Sequence, residues 1–150
     1  KVRDGEYTNG PGKVSSVRLQ ERHDWVQHYM LSAGLTLAGG RGIADFIGEA
    51  KEVDDATNKA SGFSFTDLAA DRAGVRFAEV ATGTDGGARK MQELLSRPIG
   101  ERQFFPEIRD LPEGLTAAQF KAQYGDRKSP RYLRMVAEID RRIDTISLYR

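Results

Sequence analysis

The side chains of this chain that are equipped for chemistry gather in its first half. Asp24 and His28 lie four residues apart in DWVQH, and Asp67 and Asp71 repeat that spacing in DLAAD. Between them the run EAKEVDD supplies four carboxylates, Glu49, Glu52, Asp54 and Asp55. One imidazole among several carboxylates suits two kinds of site. It fits a hard or borderline divalent ion such as Mg, Mn, Ca or Zn. It equally fits metal-free acid–base work, because crowded carboxylates drive one another's pKa values apart. No His-Glu-x-x-His, phosphate-binding loop or Gly-x-Ser-x-Gly elbow narrows the choice.

These residues need helices to bring them together. At 100° per position, Asp24 and His28 share a side with Leu31 and Leu35, opposite a stripe of Leu19, Val26, Met30 and Leu37. From Met30 onward this helix is apolar or small all round, which predicts a central helix with Asp24 and His28 facing the interior or a cleft. His23 lies off that face and is expected in solvent. On the helix that carries DLAAD, Asp67 and Asp71 share a face with Gly74 and Ala78, while Arg72, Arg76 and Glu79 line a solvated side. Periodicity does not decide which carboxylate of the EAKEVDD run is buried. Plainer explanations stand beside the functional ones. Asp24 with His28 suits the positive end of a helix dipole. Asp67 closes a capping box with Ser64. The 49–55 run has the composition of a solvated face. Asp71 lies beyond the first turn, so capping does not explain it.

The remaining punctuation yields an all-α, single-domain bundle of five to six helices. Residues 1–17 read as an irregular lead-in and 18–150 as the helical domain. Helices are expected over 18–38, 42–57, 64–82 and 88–96, then over 116–124 from the Thr116–Gln119 capping box, and from Pro130 toward the end. The last carries Leu133, Val136, Ile139, Ile143 and Ile146 at helical spacing. Pro98, Pro106 and Pro112 mark 97–114 as a loop, with Phe104 and Phe105 as its anchor.

Composition removes several classes of function. The 150 residues carry 23 Lys/Arg against 22 Asp/Glu, a net charge of +1, which gives no reason to expect nucleic acid as partner. There is no cysteine, hence no disulfide, thiolate metal site or cysteine nucleophile. No apolar run reaches the roughly 18 residues of a membrane span. A chain that opens on Lys1 rather than Met leaves room for a signal or anchor segment ahead of it.

The order Asp24-Trp-Val-Gln-His28-Tyr, Lys51-Glu52-Val-Asp-Asp55, and Phe65-Thr-Asp67-Leu-Ala-Ala-Asp71-Arg-Ala-Gly74 resembles the YfiM-type lipoproteins and, more loosely, the VanZ-like family. The resemblance covers residues 24–74. It departs at Trp25, where a Lys is usual, and it has no counterpart after Gly83. It implies a bacterial envelope protein, periplasmic or extracellular, and supports Glu52 and Asp55 over Glu49 and Asp54. The resulting expectation is a polar site of Asp24, His28, Glu52, Asp55 and Asp71. As a hydrolase of cell-envelope glycan, Glu52 would donate the proton and Asp71 or Asp55 would act as base. His28, held by Asp24, would orient substrate or join Glu52 and Asp71 around a divalent metal. The alternative is a non-catalytic binding or structural module whose polar network, or a bound metal, serves stability, with a protein partner docking on 97–114.

Overall fold

In the computed structural model, which describes residues 17–39, 62–84 and 86–150, the chain is all-α. The helix expected over 42–57, and with it Glu49, Glu52, Asp54 and Asp55, lies outside the described residues. Five α-helices stand within them: α1 (Asp24–Gly39), α2 (Phe65–Thr82), α3 (Gly87–Leu95), α4 (Ala117–Tyr124) and α5 (Pro130–Asp144). Short 3-10 turns follow at Glu101–Gln103 and Ser147–Tyr149.

Helix α1 begins six residues later than its apolar pattern predicts. Leu19 and Arg22 exchange backbone hydrogen bonds of 2.9 Å across a tight turn. Gln20 and Glu21 close that turn with φ of 46° and 70°, a left-handed geometry no right-handed helix accommodates. The buried seam of α1 also differs from the expected stripe. Trp25, His28, Tyr29, Ser32 and Ala33 are buried, whereas Met30, Leu31 and Leu37 are 62%, 52% and 61% exposed. The two aromatics, and not Met30 and Leu37, set the rotation of the helix, because each buries far more apolar area than a Met or Leu position can recover.

Helix α2 is the centre of the fold. Ser64 caps its start, its Oγ accepting the Asp67 N–H at 3.1 Å. Ala69, Ala70, Ala73 and Gly74 give it a flat face on which α1 lies. The approach is close enough that a Cβ added at Gly74 would sit 2.1 Å from the Tyr29 carbonyl oxygen. Arg72 does not lie on a solvated side as expected. It makes a two-pronged bond to Asp140 of α5, at 2.6 and 2.7 Å, and Arg76 approaches Asp144 at 3.8 Å.

Two aromatic clusters flank this pair. Phe63, Phe65, Phe120, Tyr124 and Tyr132 stack at one end. Trp25, Tyr29, Phe104 and Phe105 gather at the other. The 97–114 segment is a loop, as its prolines predict, yet Phe105, Ile108 and Leu111 are buried beneath it. Helix α5 opens on Ser129, whose Oγ accepts the Tyr132 N–H, with Pro130 in the first turn. Its buried positions are Tyr132, Ile139 and Ile143. Leu133 is 52% exposed because Tyr132, seven residues before Ile139, takes the place on the seam.

Candidate functional site

The α1–α2 contact encloses the polar site. His28 lies one turn into α1 beyond Asp24, and its ring enters between Asp67 and Asp71, which stand one turn apart on α2. Nδ1 is 3.2 Å from each oxygen of Asp71. On the other side of the ring, Nε2 is 3.6 Å from Asp67 Oδ2. Ser32, one turn further along α1, donates its hydroxyl to Asp71 Oδ1 at 2.6 Å. Asp71 therefore accepts from two residues of α1, which satisfies a carboxylate that is 5% exposed. These contacts fix the ring's orientation. A neutral imidazole facing the Asp71 carboxylate carries its proton on Nδ1 and leaves Nε2 as acceptor; a doubly protonated ring donates toward both carboxylates.

Asp67 does more than cap. Gln119 completes its box by accepting from the Thr116 N–H at 2.9 Å, but Asp67 turns its Oδ2 toward His28 instead. Its Oδ1 is buried and accepts no hydrogen bond. Burial pushes the Asp67 carboxyl above the usual aspartate range; His28 opposes that shift, and Asp24 adds to it. Sequence reasoning leaves both Asp67 and Ser32 out of the site, Asp67 because capping accounts for it. The available signal was its i, i+4 relation to Asp71 on a face of small residues, which places both carboxylates against whatever α2 packs on.

Asp24 takes a different role from the one expected. It does not hold His28. Arg22 grips it with two bonds of 2.9 and 2.5 Å, and its side chain is 42% exposed. That bond holds the Asp24 carboxyl below its ordinary range. Arg22 also reaches Glu113 at 3.3 Å and lies over the Trp25 ring, 5.0 Å from its centre. The fork of Arg22 is thus shared between the start of α1 and the end of the proline-rich loop. His23 is exposed, as expected, and accepts from Arg18. Of the expected site, the described residues bring His28 and Asp71 together and set Asp24 at the rim. Glu52 and Asp55 lie outside them.

The metal set expected from His28, Glu52 and Asp71 includes Glu52, which lies outside the described residues; among the described residues alone, no group of three His, Cys, Asp or Glu is arranged to hold an ion. The geometry gives the reason. Asp71 and Asp67 approach opposite edges of the imidazole, so their oxygens do not converge with a ring nitrogen on one point.

Surface grooves lie elsewhere among the described residues. One, about 960 Å³, runs between the 97–114 loop and α5, and its charges are already paired, with Arg142 on Asp110 and Glu138. A second, about 780 Å³, lies beside Arg76, Lys90 and Tyr149. The third, about 250 Å³, follows the Arg72–Asp140 pair. None of these three is lined by His28, Asp67 or Asp71. No described helix is long and apolar enough to cross a membrane. The chain matches no protein-family model, no curated protein and no solved structure.

Proposed function

We propose that this chain is an envelope-associated hydrolase that acts on cell-envelope glycan by acid–base chemistry, with His28 as its proton-transferring group. The observation that supports this most is the oriented dyad. Asp71 receives the His28 Nδ1 edge while Ser32 fixes the carboxylate from behind. An aspartate that fixes the tautomer and orientation of an imidazole is the arrangement by which a histidine is readied to take and return protons at its other nitrogen. Ionic groups inside a helix–helix contact are a poor source of stability compared with apolar packing, so their presence is better accounted for by a task. The envelope location rests on the resemblance of residues 24–74 to the YfiM-type lipoproteins, and the glycan substrate on the carboxyl pair that flanks His28.

The test is turnover of purified peptidoglycan, followed by release of reducing ends. His28→Gln and Asp71→Asn should each lower the rate about 100-fold or more, the usual contribution of a general acid or base. Variants that cleave as fast as the wild type, or a wild type with no turnover, would sink the proposal.

A second reading is favoured by a specific observation. His28 and Asp71 are 8% and 5% exposed, a burial that suits a non-catalytic module whose network fixes the register of α1 on α2. In that case the same two variants lose stability and there is no turnover to lose. The docking of a protein partner on 97–114 gains nothing from Phe105, which is fully buried against Trp25 and serves the chain's own core.

A further inference from the structure

The geometry points to Asp67 as the carboxyl through which the buried His28–Asp71 pair exchanges protons with the surroundings. The use of that exchange in catalysis rests on the acid–base reading above; the exchange itself does not.

Three observations carry the assignment. The first is a gradient of exposure along the network. The side chains of Asp71 and His28 are 8% and 9% exposed, while that of Asp67 is 20% exposed. Asp67 is thus the member that meets the outside. The second is placement. Asp67 Oδ2 faces Nε2, the ring nitrogen opposite the edge that Asp71 holds, at 3.6 Å. A small side-chain rotation brings that distance into hydrogen-bond range, and catalytic contacts are commonly long before substrate arrives. The third is the unpartnered Oδ1. A buried carboxylate oxygen without a donor favours the protonated form, since desolvation penalises the charge.

Among the described residues, the groups that face Asp67 are His28 and Asp24 from α1, Asp71 from its own helix, and Ser64 at that helix's N-cap. Burial and two carboxylates favour the neutral acid, while His28 and, less strongly, a hydrogen bond with the Ser64 side chain favour the anion. The exchange needs no other reactant. The O–H bond of neutral Asp67 breaks as an N–H bond forms at Nε2 of neutral His28, leaving a carboxylate beside an imidazolium with total charge unchanged. The reverse step returns the proton, and Asp71 keeps the ring in place throughout. Asp24, held by Arg22, is a positioning charge that biases Asp67 without touching the ring.

The experiment is an NMR pH titration of the intact chain, following Asp67 ¹³Cγ and His28 ¹⁵Nε2 together. Asp67 should titrate above the ordinary aspartate range, and the Nε2 signal should move through the same transition. Asp24→Asn should lower the Asp67 midpoint, since it removes a like charge. His28→Gln should raise it, since it removes the larger of the two described influences that favour the anion, the other being Ser64. Asp67→Asn should delete that transition from the Nε2 curve. Should His28→Gln not fold, the wild-type curves and Asp24→Asn decide the matter. An Asp67 midpoint in or below the ordinary range, or an Nε2 signal blind to it, overturns the inference. A chain with coupled titrations that leaves peptidoglycan intact would refute the hydrolase reading alone. Glycan turnover without coupling would refute the inference alone.

Discussion

Gly74→Ala is the substitution whose sign the fold decides most sharply. In an exposed helix interior this change stabilises by about 1 kcal/mol, because alanine is the better helix former. At Gly74 the new Cβ would lie 2.1 Å from the Tyr29 carbonyl oxygen and 2.9 Å from its carbon, distances that real Cβ atoms essentially never show. The obstacle is backbone, so no rotamer change relieves it. Helix α1 must instead lift off α2 by about 1 Å at this point to restore an ordinary contact. Overpacking of that kind costs roughly 1–3 kcal/mol, and a rigid backbone clash lies at the upper end. The net expectation is a loss of about 2 kcal/mol, or a melting temperature lower by about 4–8 °C for a chain of this size. His28 is the neighbour of Tyr29, so the same lift carries its ring away from Asp71, whose oxygens now stand at 3.2 Å. Urea unfolding gives the stability, and the His28 Nδ1 resonance reports the contact. A variant as stable as the wild type, with that resonance unmoved, would refute the close approach of α1 to α2 on which the site depends.

Other expectations follow from the same contacts. Asp67→Asn should stabilise the chain at neutral pH, because a carboxyl whose folded pKa is raised contributes stability only below its unfolded value and loses it as pH rises through the folded one. The advantage of Asn should therefore close as pH falls below the ordinary aspartate range; unfolding measured across pH would show an advantage that persists there if the reasoning is wrong. Tyr149→Phe removes the hydroxyl that bonds the Phe104 carbonyl at 2.5 Å, in a part-buried position, and the buried Tyr29 hydroxyl at 3.1 Å, and should cost about 1–3 kcal/mol in urea unfolding. Arg22→Ala breaks a half-exposed pair with Asp24 and should cost only about 1 kcal/mol or less, a loss that added salt reduces. A larger effect there would mean that Arg22 holds the loop at Glu113 more firmly than its exposure suggests.

The helices were legible wherever a cap announced them. Ser64, Thr116 and Ser129 mark the starts of α2, α4 and α5 as their side chains predict, and the proline-rich stretch is the loop its composition describes. The rotation of α1 was not legible. Counting apolar positions favoured Met30 and Leu37, but the large side chains of Trp25 and Tyr29 decide which face is buried. The pairing of His28 with Asp71 could be suspected, because each lay one turn from another titratable residue on a face of mixed size. Its geometry could not, since it depends on the register of α1 against α2. That register is set by Gly74 and by the turn at Gln20 and Glu21, neither of which a periodicity count weighs. The same register explains why Asp24 was misassigned. It is one turn from His28 along α1, but Arg22, two residues away, reaches it first.

The central claim is that Asp71 holds the Nδ1 edge of His28 while Nε2 is turned toward Asp67. The ¹⁵N spectrum of the His28 ring tests it directly, because the two nitrogens report their protons separately. The account predicts a proton that stays on Nδ1 across the titration, with the pH response confined to Nε2. A neutral ring protonated on Nε2, with Nδ1 bare toward Asp71, would contradict it.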